Sequence, residues 1–338
     1  MRRAFLIAVA LVALTGAGSA HAGTLSFVGG DLSYIAPPGE TNRVFLIQEE
    51  KPLRGTRLID TGAAVTAGAG CSSVGPNEAF CPTPDFADHV LVSVGDLNDY
   101  VNTSAAPSGL TSLEGGDGND ALHSGSNSSA TLDGGPGADV MSGELATVDY
   151  SSRTNPLTVT MGDGGVANDG EAGEMDLISD DIAEVLGGSG ADTFTLTGVD
   201  GRVLAGLGND HIEAIGLEFC GLSGGKGDDL IEADDGFCSM GGGFGDDVLI
   251  GGVDDQLMGG GEGDDILRGG PGNDSIGGER GADELIGGQG RDRCLGGSGN
   301  DTFRVKDGAK DSIDGNHGTD RAHVDQGLDE LHDIEQLF

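Results

Sequence analysis

Apolar side chains recur at every ninth residue between Gly187 and Arg304. Thirteen nonapeptides fit this stretch, with one extra residue at Ala214, and the eighth place of every unit is apolar. One inward side chain per nine residues is too sparse for the apolar stripe of an α-helix. It fits a short strand and a turn, so that two units form one coil and successive coils stack at about 4.8 Å. The pattern predicts an all-β solenoid with two parallel sheets and a thin aliphatic core. The eighth places are Phe194, Val203, Ile212, Leu222, Ile231, Met240, Leu249, Met258, Leu267, Ile276, Leu285, Cys294 and Phe303.

Glycine and aspartate fill the other regular places of the units. The stretch "GGEGDDILRGGPGNDSIGGERGADELIGGQGRDRCLGGSGNDTFR" (260–304) is five contiguous units, each with Asp at its sixth place. Glycine permits the positive φ and close backbone approach that such turns require. Carboxylates stacked about 4.8 Å apart repel by roughly 1 kcal/mol per pair in water. A Ca²⁺ ion, which takes six to eight oxygens in flexible geometry, reverses the sign of that interaction. We therefore expect Ca²⁺ between turns, bound by Asp carboxylates and backbone carbonyls.

The units "GGEGDDILR", "GGPGNDSIG" and "GGSGNDTFR" resemble the G-G-x-G-x-D-x-U-x repeat of RTX, or haemolysin-type calcium-binding, proteins. The resemblance is clear from Gly115 to Arg304. It implies a parallel β-roll of the secreted bacterial type, with multiple Ca²⁺ ions between the Gly-rich turns of adjacent coils.

Alternate units lie on opposite edges of a two-sheet coil, and the two edges differ. On one edge the sixth place of all seven units is Asp: Asp192, Asp210, Asp229, Asp247, Asp265, Asp283 and Asp301. Seven stacked turns leave six gaps, and thus at most six inter-turn sites. The sixth places of the other edge are Gly201, Cys220, Cys238, Gln256, Asp274 and Asp292. Only the last two are expected to bind calcium in the manner of the family. The sequence thus predicts one loaded edge and one mostly empty edge.

The cysteines indicate a second kind of tie between coils. Cys220 and Cys238 hold the same place in units 18 residues apart, so they should lie one coil apart. That separation is within the Cα range of a disulfide, and export would permit oxidation. We predict a disulfide that replaces calcium there, and a second one between Cys71 and Cys81. Cys294 occupies an inward place and is given no chemistry.

Upstream of the main roll (187–304), residues 94–148 are predicted to form the first RTX-like repeats. The units "GGDGNDALH" and "GGPGADVMS" carry Asp120 and Asp139, which are 19 residues apart and are predicted to share a calcium. "VGDLNDYV" (94–101) looks like an eroded turn. Residues 23–93 are β-rich, either an N-terminal cap or further irregular coils.

Two segments interrupt or end the array. Residues 149–186 form an acidic insertion whose loop either binds another cation or is a solvated acidic turn; its polar residues are Asn168, Asp169, Glu171, Glu174 and Asp176. After Arg304 the pattern decays, and residues 305–338 are predicted to cap the last coil. The apolar residues suited to that cap are Leu328, Leu331, Ile334, Leu337 and Phe338.

Residues 1–22 are predicted to be a removable signal peptide, with a basic start, a short apolar run and the cleavage triplet Ala20-His21-Ala22. Ordinary unfolded export is favoured over twin-arginine export, and a secreted, extracellular location is expected. No other segment has the length and hydrophobicity of a membrane span. The chain has 57 acidic and 17 basic residues, a net charge of −40, which argues against nucleic acid as a partner.

No catalytic motif emerges from the sequence. There is no H-E-x-x-H, and "GLSGG" (221–225) matches G-x-S-x-G only inside a repeat, without the strand-turn-helix context that the motif needs. We expect a non-enzymatic, exported calcium-binding protein that folds or rigidifies on about seven or eight ions. The alternatives are a calcium-dependent surface adhesin or matrix protein with a cell-surface or extracellular-matrix partner, and a β-helix enzyme acting on acidic polysaccharide.

Overall fold

The computed structural model describes residues 22–49, 54–83, 86–106, 108–125, 129–162 and 164–338, and every regular element within them is a β-strand. The predicted signal peptide (1–22) lies outside the described residues except for Ala22. None of the described residues forms a helix with the length and apolar character needed to cross a membrane.

The strands before the main roll are β1 (Gly23–Val28), β2 (Asp31–Ile35), β3 (Arg43–Glu49), β4 (Gly55–Asp60), β5 (Val65–Ala67), β6 (Ser72–Gly75), β7 (Glu78–Cys81), β8 (Phe86–Ser93), β9 (Tyr100–Ala105), β10 (Ser108–Glu114), β11 (Ala121–His123), β12 (Ala130–Asp133), β13 (Val140–Ser142), β14 (Thr147–Asp149), β15 (Leu157–Met161), β16 (Gly170–Glu171), β17 (Leu177–Ile178) and β18 (Glu184–Leu186). The strands of the main roll are β19 (Thr193–Thr197), β20 (Gly201–Leu207), β21 (His211–Ile215), β22 (Phe219–Lys226), β23 (Leu230–Ala233), β24 (Phe237–Phe244), β25 (Val248–Ile250), β26 (Leu257–Glu262), β27 (Ile266–Pro271), β28 (Ser275–Arg280), β29 (Glu284–Gln289), β30 (Arg293–Gly299) and β31 (Thr302–Arg304). The C-terminal strands are β32 (Ser312–Gly318), β33 (Arg321–His323), β34 (Glu330–His332) and β35 (Gln336–Leu337).

Three sheets make up the described fold. A sixteen-stranded sheet runs through the whole described chain in the order β34-β32-β30-β28-β26-β24-β22-β20-β18-β14-β12-β10-β8-β2-β1-β5. The chain alternates between it and one of two other sheets, which are eight-stranded (β17-β13-β11-β9-β3-β4-β7-β6) and eleven-stranded (β16-β15-β19-β21-β23-β25-β27-β29-β31-β33-β35). One continuous cluster of buried apolar side chains runs through the molecule.

The main roll confirms the predicted all-β parallel solenoid. Its even-numbered strands join the sixteen-stranded sheet and its odd-numbered strands join the eleven-stranded sheet. Neighbouring strands are parallel and pair eighth place with eighth place, as in Ile231 with Leu249 and Met240 with Met258. All thirteen eighth-place side chains are at most 3% exposed. The single inward residue per unit therefore builds the core.

The region before the repeats is β-rich and contains antiparallel pairs. β1 pairs with β2, β3 with β4, and β4 and β6 with β7, all antiparallel. Parallel stacking begins where β8 lies between β2 and β10. The hairpins thus occupy one end of the solenoid, and the coils grow from them.

The acidic insertion is the place where the second face of the solenoid changes sheets. β17 pairs with β13 as the last strand of the eight-stranded sheet. β15 pairs with β19 and, with β16, begins the eleven-stranded sheet. The sixteen-stranded sheet continues past this junction because β18 pairs with both β14 and β20.

Parallel coils continue past Arg304, where the sequence pattern was expected to decay. β32 pairs with β30 and β33 with β31, both in parallel register. Ile313 and Ala322 are completely buried in the inward places. Of the apolar residues expected to cap the last coil, Leu331 and Ile334 pack against the core, whereas Leu328, Leu337 and Phe338 are exposed. The segment 305–338 is therefore mostly a continuation of the roll.

Candidate metal sites

Stacked Asp residues connect the coils along one edge of the main roll. The backbone N–H of each Asp donates to Oδ1 of the Asp one coil further on, as from Asp229 to Asp247 and from Asp247 to Asp265, both 2.8 Å. These side chains are no more than 2% exposed. We call this set the long ladder; its members are Asp192, Asp210, Asp229, Asp247, Asp265, Asp283, Asp301 and Asp320.

Asp320 extends the long ladder beyond the predicted set. The N–H of Asp301 donates to its Oδ1 at 2.7 Å. The sequence signal was present, because "GNHGTDRAH" (315–323) has Asp at its sixth place and Ala at its eighth. Asn316 replaces the second glycine and adopts its left-handed conformation, with φ of 63°.

The opposite edge carries a shorter ladder. Asp274 N–H donates to Asp292 Oδ1 and Asp292 N–H donates to Asp311 Oδ1, both at 2.9 Å. We call these three residues the short ladder; Asp311 was not among the predicted site residues.

Closer to the N-terminus on the same edge, the predicted disulfide between Cys220 and Cys238 is present, with Cα atoms 4.6 Å apart. The second predicted disulfide, between Cys71 and Cys81, is also present, and Cys294 is a buried free thiol.

An N-terminal ladder stacks Asp99, Asp120, Asp139 and Asp176. Successive N–H groups donate to Oδ1 of the next Asp at 2.8 to 2.9 Å. The structure thus places the predicted pair Asp120 and Asp139 one coil apart. Asp99, at the sixth place of the eroded turn, was missed as a site residue, whereas Asp176 was named only as part of the acidic loop and not as a ladder member.

The second carboxylate oxygen of most ladder residues has no partner. In the described part of the chain, thirteen Asp Oδ2 atoms are buried without a hydrogen-bond donor: those of Asp99, Asp120, Asp139, Asp210, Asp229, Asp247, Asp265, Asp274, Asp283, Asp292, Asp301, Asp311 and Asp320. A buried acceptor without a donor is costly, and a buried charge more so. These oxygens are therefore open to a cation.

Burial raises the pKa of the ladder carboxylates, and the backbone N–H donors offset only part of this shift. The pKa reaches about 7 for Asp99, Asp139, Asp210, Asp247, Asp274 and Asp283. It reaches about 6 for Asp120, Asp229, Asp265, Asp301 and Asp311. Burial also raises the pKa of Asp192, Asp292 and Asp320. The ladder carboxylates are therefore more stable when they bind a proton or another cation than when they are ionised without a partner.

Backbone carbonyl oxygens complete the surroundings of each carboxylate. In the turn that ends at Asp247, a Cβ added to Gly243 or Gly245 would collide with the carbonyl oxygen of Gly225 or Gly227 in the preceding turn. Both glycines have positive φ, 124° and 119°. At these two positions only glycine leaves room between the turns, because any side chain would collide with a carbonyl oxygen. A hard dication with oxygen ligands, such as Ca²⁺, fits this donor set.

Side chains alone do not assemble a metal centre. Within the described ranges, no three His, Cys, Asp or Glu side chains lie together as ligands of one ion. An ion in a ladder would therefore take one or two carboxylates and rely on carbonyl oxygens from two turns for the remainder.

The acidic loop of the insertion uses its buried carboxylates differently. Asp176 Oδ2 accepts a hydrogen bond from the Tyr150 hydroxyl at 2.9 Å. Asp169 accepts from the N–H groups of Thr160 and Ile178, at 2.5 and 3.3 Å. Since protein donors already bind both carboxylates, these contacts favour a structural role over the cation site that the sequence left open.

Two side chains of the insertion end the N-terminal ladder, and sequence reasoning did not identify them. Tyr150 donates to Asp176, as above. The Arg153 guanidinium donates to the carbonyl oxygen of Gly135 and lies 3.3 Å from Glu174. Gly135 is the second glycine of the turn that carries Asp139. The positively charged side chain of Arg153 thus binds the last repeat turn before the junction.

The family model described as "RTX calcium-binding nonapeptide repeat (4 copies)" matches five segments of the chain: residues 112–129, 222–237, 242–267, 259–294 and 268–303. No curated protein matches the chain. The matched segments include members of all three ladders, among them Asp120, Asp229 and Asp274. The periodic turns, the stacked carboxylates and this match agree, and the chain contains nonapeptide repeats of the RTX calcium-binding type.

Proposed function

We propose that this is an exported calcium-binding protein whose β-roll folds or rigidifies when Ca²⁺ enters the Asp ladders. The observation that carries the proposal is the set of thirteen buried Oδ2 atoms without donors, in turns that backbone carbonyl oxygens of neighbouring coils approach closely. Ca²⁺ is the cation that suits this oxygen-only, carbonyl-rich environment.

The energetic reason lies in the thinness of the core. One apolar side chain per nine residues buries little surface against the conformational entropy of ordering the whole unit. Stacked carboxylates add repulsion when they are ionised. Metal binding then supplies folding free energy directly, as it does in other small metal-dependent folds.

Calcium counting by native mass spectrometry, together with circular dichroism before and after chelation, tests this proposal. We expect about ten ions, roughly one for each gap between successive orphaned Asp residues. We also expect a loss of strand signal when EGTA removes them. A protein that takes up no calcium, or a roll that is equally ordered without it, would overturn the proposal.

Export is the second element of the proposal. The two disulfides support an oxidising destination, since such bonds persist mainly outside the cytosol. The predicted signal peptide supplies a route. Deleting residues 1–22 should keep the protein inside the cell, with its four paired cysteines reduced; continued secretion of the truncated chain would contradict this route.

We further propose that the protein is not an enzyme. Several basic residues on the strands lie in cross-strand ion pairs, such as Arg202 with Glu184 at 2.9 Å and Arg304 with Glu284 at 2.5 Å. In each such pair a carboxylate neutralises a cation that an acidic polysaccharide would need. Incubation of the calcium-loaded protein with a panel of polyuronates should release no unsaturated or reducing ends, and release of either would establish the enzyme alternative.

A calcium-dependent adhesin is the second candidate function, and an exposed aromatic pair favours it. Phe219 and Phe237 are cross-strand neighbours, 60% and 42% exposed. They border a groove of about 740 Å³ together with Asp235 and Asp254. Exposed apolar patches with polar rims commonly mark contact surfaces. The double variant Phe219→Ser/Phe237→Ser should reduce adhesion to cells or matrix while keeping its calcium; unchanged adhesion would remove this candidate.

A further inference from the structure

Gln256 occupies the sixth place of its unit, between the disulfide and the short ladder. Its side chain is 2% exposed. Its Oε1 accepts a hydrogen bond from the backbone N–H of Cys238 at 3.1 Å, and the backbone N–H of Gln256 donates to Asp274 Oδ1 at 2.7 Å. Gln256 therefore makes the same two coil-to-coil hydrogen bonds as a ladder Asp.

The difference lies at the other terminal atom of the side chain. Gln256 Nε2 donates to the carbonyl oxygens of Gly236 and Asp254, both at 2.8 Å. These two residues hold the fourth place of the preceding turn and of the same turn. The side chain of a ladder Asp is one methylene shorter, and its second terminal atom is Oδ2, which has no hydrogen to donate.

The neighbouring Asp274 site shows what surrounds a carboxylate at this place. A Cβ on Gly272, the fourth-place residue of that turn, would meet the carbonyl oxygen of Asp254 and also Asp274 Oδ1. The fourth-place carbonyl oxygen of the preceding turn therefore lies on the Oδ1 side of this carboxylate. Asp274 Oδ2 is buried without a donor. A Cβ on Gly269, the first residue of this turn, would meet both this Oδ2 and the carbonyl oxygen of Gly287. Each carboxylate oxygen thus has a backbone carbonyl oxygen nearby, and Asp274 has no hydrogen to offer to either.

We propose that the Gln256 carboxamide takes the place of a calcium ion, so that position 256 decides whether this turn binds metal. Its Nε2 hydrogens bind the fourth-place carbonyl oxygens that a cation would bind, and its neutral charge removes the repulsion that a carboxylate would bring. Together with the disulfide between Cys220 and Cys238, it holds three successive turns of this edge without metal. This inference rests on the proposed calcium ladders.

The test uses the full-length protein and two substitutions at this position. Gln256→Glu replaces Nε2 by a carboxylate oxygen and should add one calcium ion to the wild-type count in native mass spectrometry. Its thermal midpoint should rise more steeply with Ca²⁺ concentration than that of the wild type. Gln256→Met removes the donor without adding charge, so it should lower the midpoint at every Ca²⁺ concentration and leave the ion count unchanged.

Gln289→Glu is the matched control, since it adds the same charge at an exposed side chain of a nearby turn. It should gain no ion. The inference is overturned if Gln256→Glu folds without an additional ion, if Ca²⁺ does not rescue its folding, or if Gln256→Met is as stable as the wild type. A wild-type protein that binds no calcium would instead refute the proposed function from which this inference starts.

Discussion

The two edges of the main roll connect their coils by different chemistry on the same backbone. On the long-ladder edge, a buried carboxylate accepts one N–H and leaves its second oxygen without a donor. On the opposite edge, Cys220 and Cys238 form a covalent tie, and Gln256 supplies its own donor. The coil geometry alone therefore does not require metal. The demand for a cation arises from the charge and the unpaired oxygen of Asp at the sixth place.

A similar contrast separates the N-terminal ladder from the long ladder. The N-terminal ladder ends at Asp176, whose second oxygen is bound by Tyr150, and Arg153 binds the turn before it. The long ladder ends at Asp320, whose second oxygen has no donor. The junction is thus closed by protein donors, and it divides the coils with unpaired carboxylate oxygens into two groups.

Calcium removal should have the largest effect and should separate the edges. Amides in the turns at Asp229, Asp247 and Asp265 should lose about a hundredfold in exchange protection, because ions present at about a hundred times their Kd stabilise them. Turns at Cys220 and Cys238 should lose less. Hydrogen exchange of the full chain with and without EGTA measures this difference. Restoring Ca²⁺ should restore the pattern, whereas an equal loss on both edges would contradict the comparison.

Acidification should change the stability of the metal-free protein and that of the calcium-loaded protein in opposite directions. Burial raises the pKa of Asp247 to about 7 and that of Asp265 to about 6 in the metal-free fold, against roughly 3.9 in unfolded chains. Groups with raised pKa stabilise the fold below their unfolded pKa, and this contribution is lost as pH rises through the folded pKa. The metal-free roll should therefore lose stability from about pH 4 to pH 7.

The calcium-loaded roll should instead lose stability on acidification, since its ligands must be deprotonated. Urea unfolding of decalcified and calcium-saturated protein at pH 5 and pH 7.5 measures both trends. Slopes of the same sign would show that the ladder carboxylates do not exchange protons for calcium.

The repeat units and their inward residues were predictable because one place in nine determines both the core and the turn. Phe194 and Phe303, at the two ends of the predicted register, are both buried as expected. Asp99 was missed because its turn has lost most of its glycines, and Leu97 takes the left-handed conformation with φ of 71°. Asp311 was missed because its turn, "KDGAKD" (306–311), is equally eroded, whereas the turn of Asp320 keeps two glycines and its sixth-place Asp, so its signal was present in the sequence.

The contacts that replace metal were not predictable in the same way. Tyr150 reaches Asp176 across 26 residues, and this contact depends on the path of the insertion rather than on any period. The sequence places Gln256 at the sixth place of its unit and thus shows that this turn has no carboxylate there. Only the positions of the carbonyl oxygens of Gly236 and Asp254 show that its amide supplies the donor.

Breaking the disulfide on the opposite edge should have the next largest effect. The double variant Cys220→Ser/Cys238→Ser removes a tie across 18 residues, and we expect a loss of about 3 kcal/mol in unfolding free energy. The calcium count should not change, since neither residue is a ligand. Urea unfolding in saturating Ca²⁺ and native mass spectrometry measure the two quantities. Loss of ions from this variant would show that the covalent tie also shapes the calcium sites of the other edge.

Converting one ladder residue to the chemistry of the opposite edge should have the smallest effect. Asp247→Asn keeps the acceptor for the N–H of Asp229 and places an amide donor where the unpaired oxygen lies. We expect the loss of one or two calcium ions. At a Ca²⁺ concentration ten times the Kd, each lost ion should lower the free energy of unfolding by about 1.4 kcal/mol. The metal-free protein should become more stable, because one buried charge is removed. Asp235→Asn, at an exposed position, is the control and should change neither the calcium count nor the free energy of unfolding. If metal-free Asp247→Asn were less stable than the metal-free wild type, the role assigned to the buried charge would be refuted.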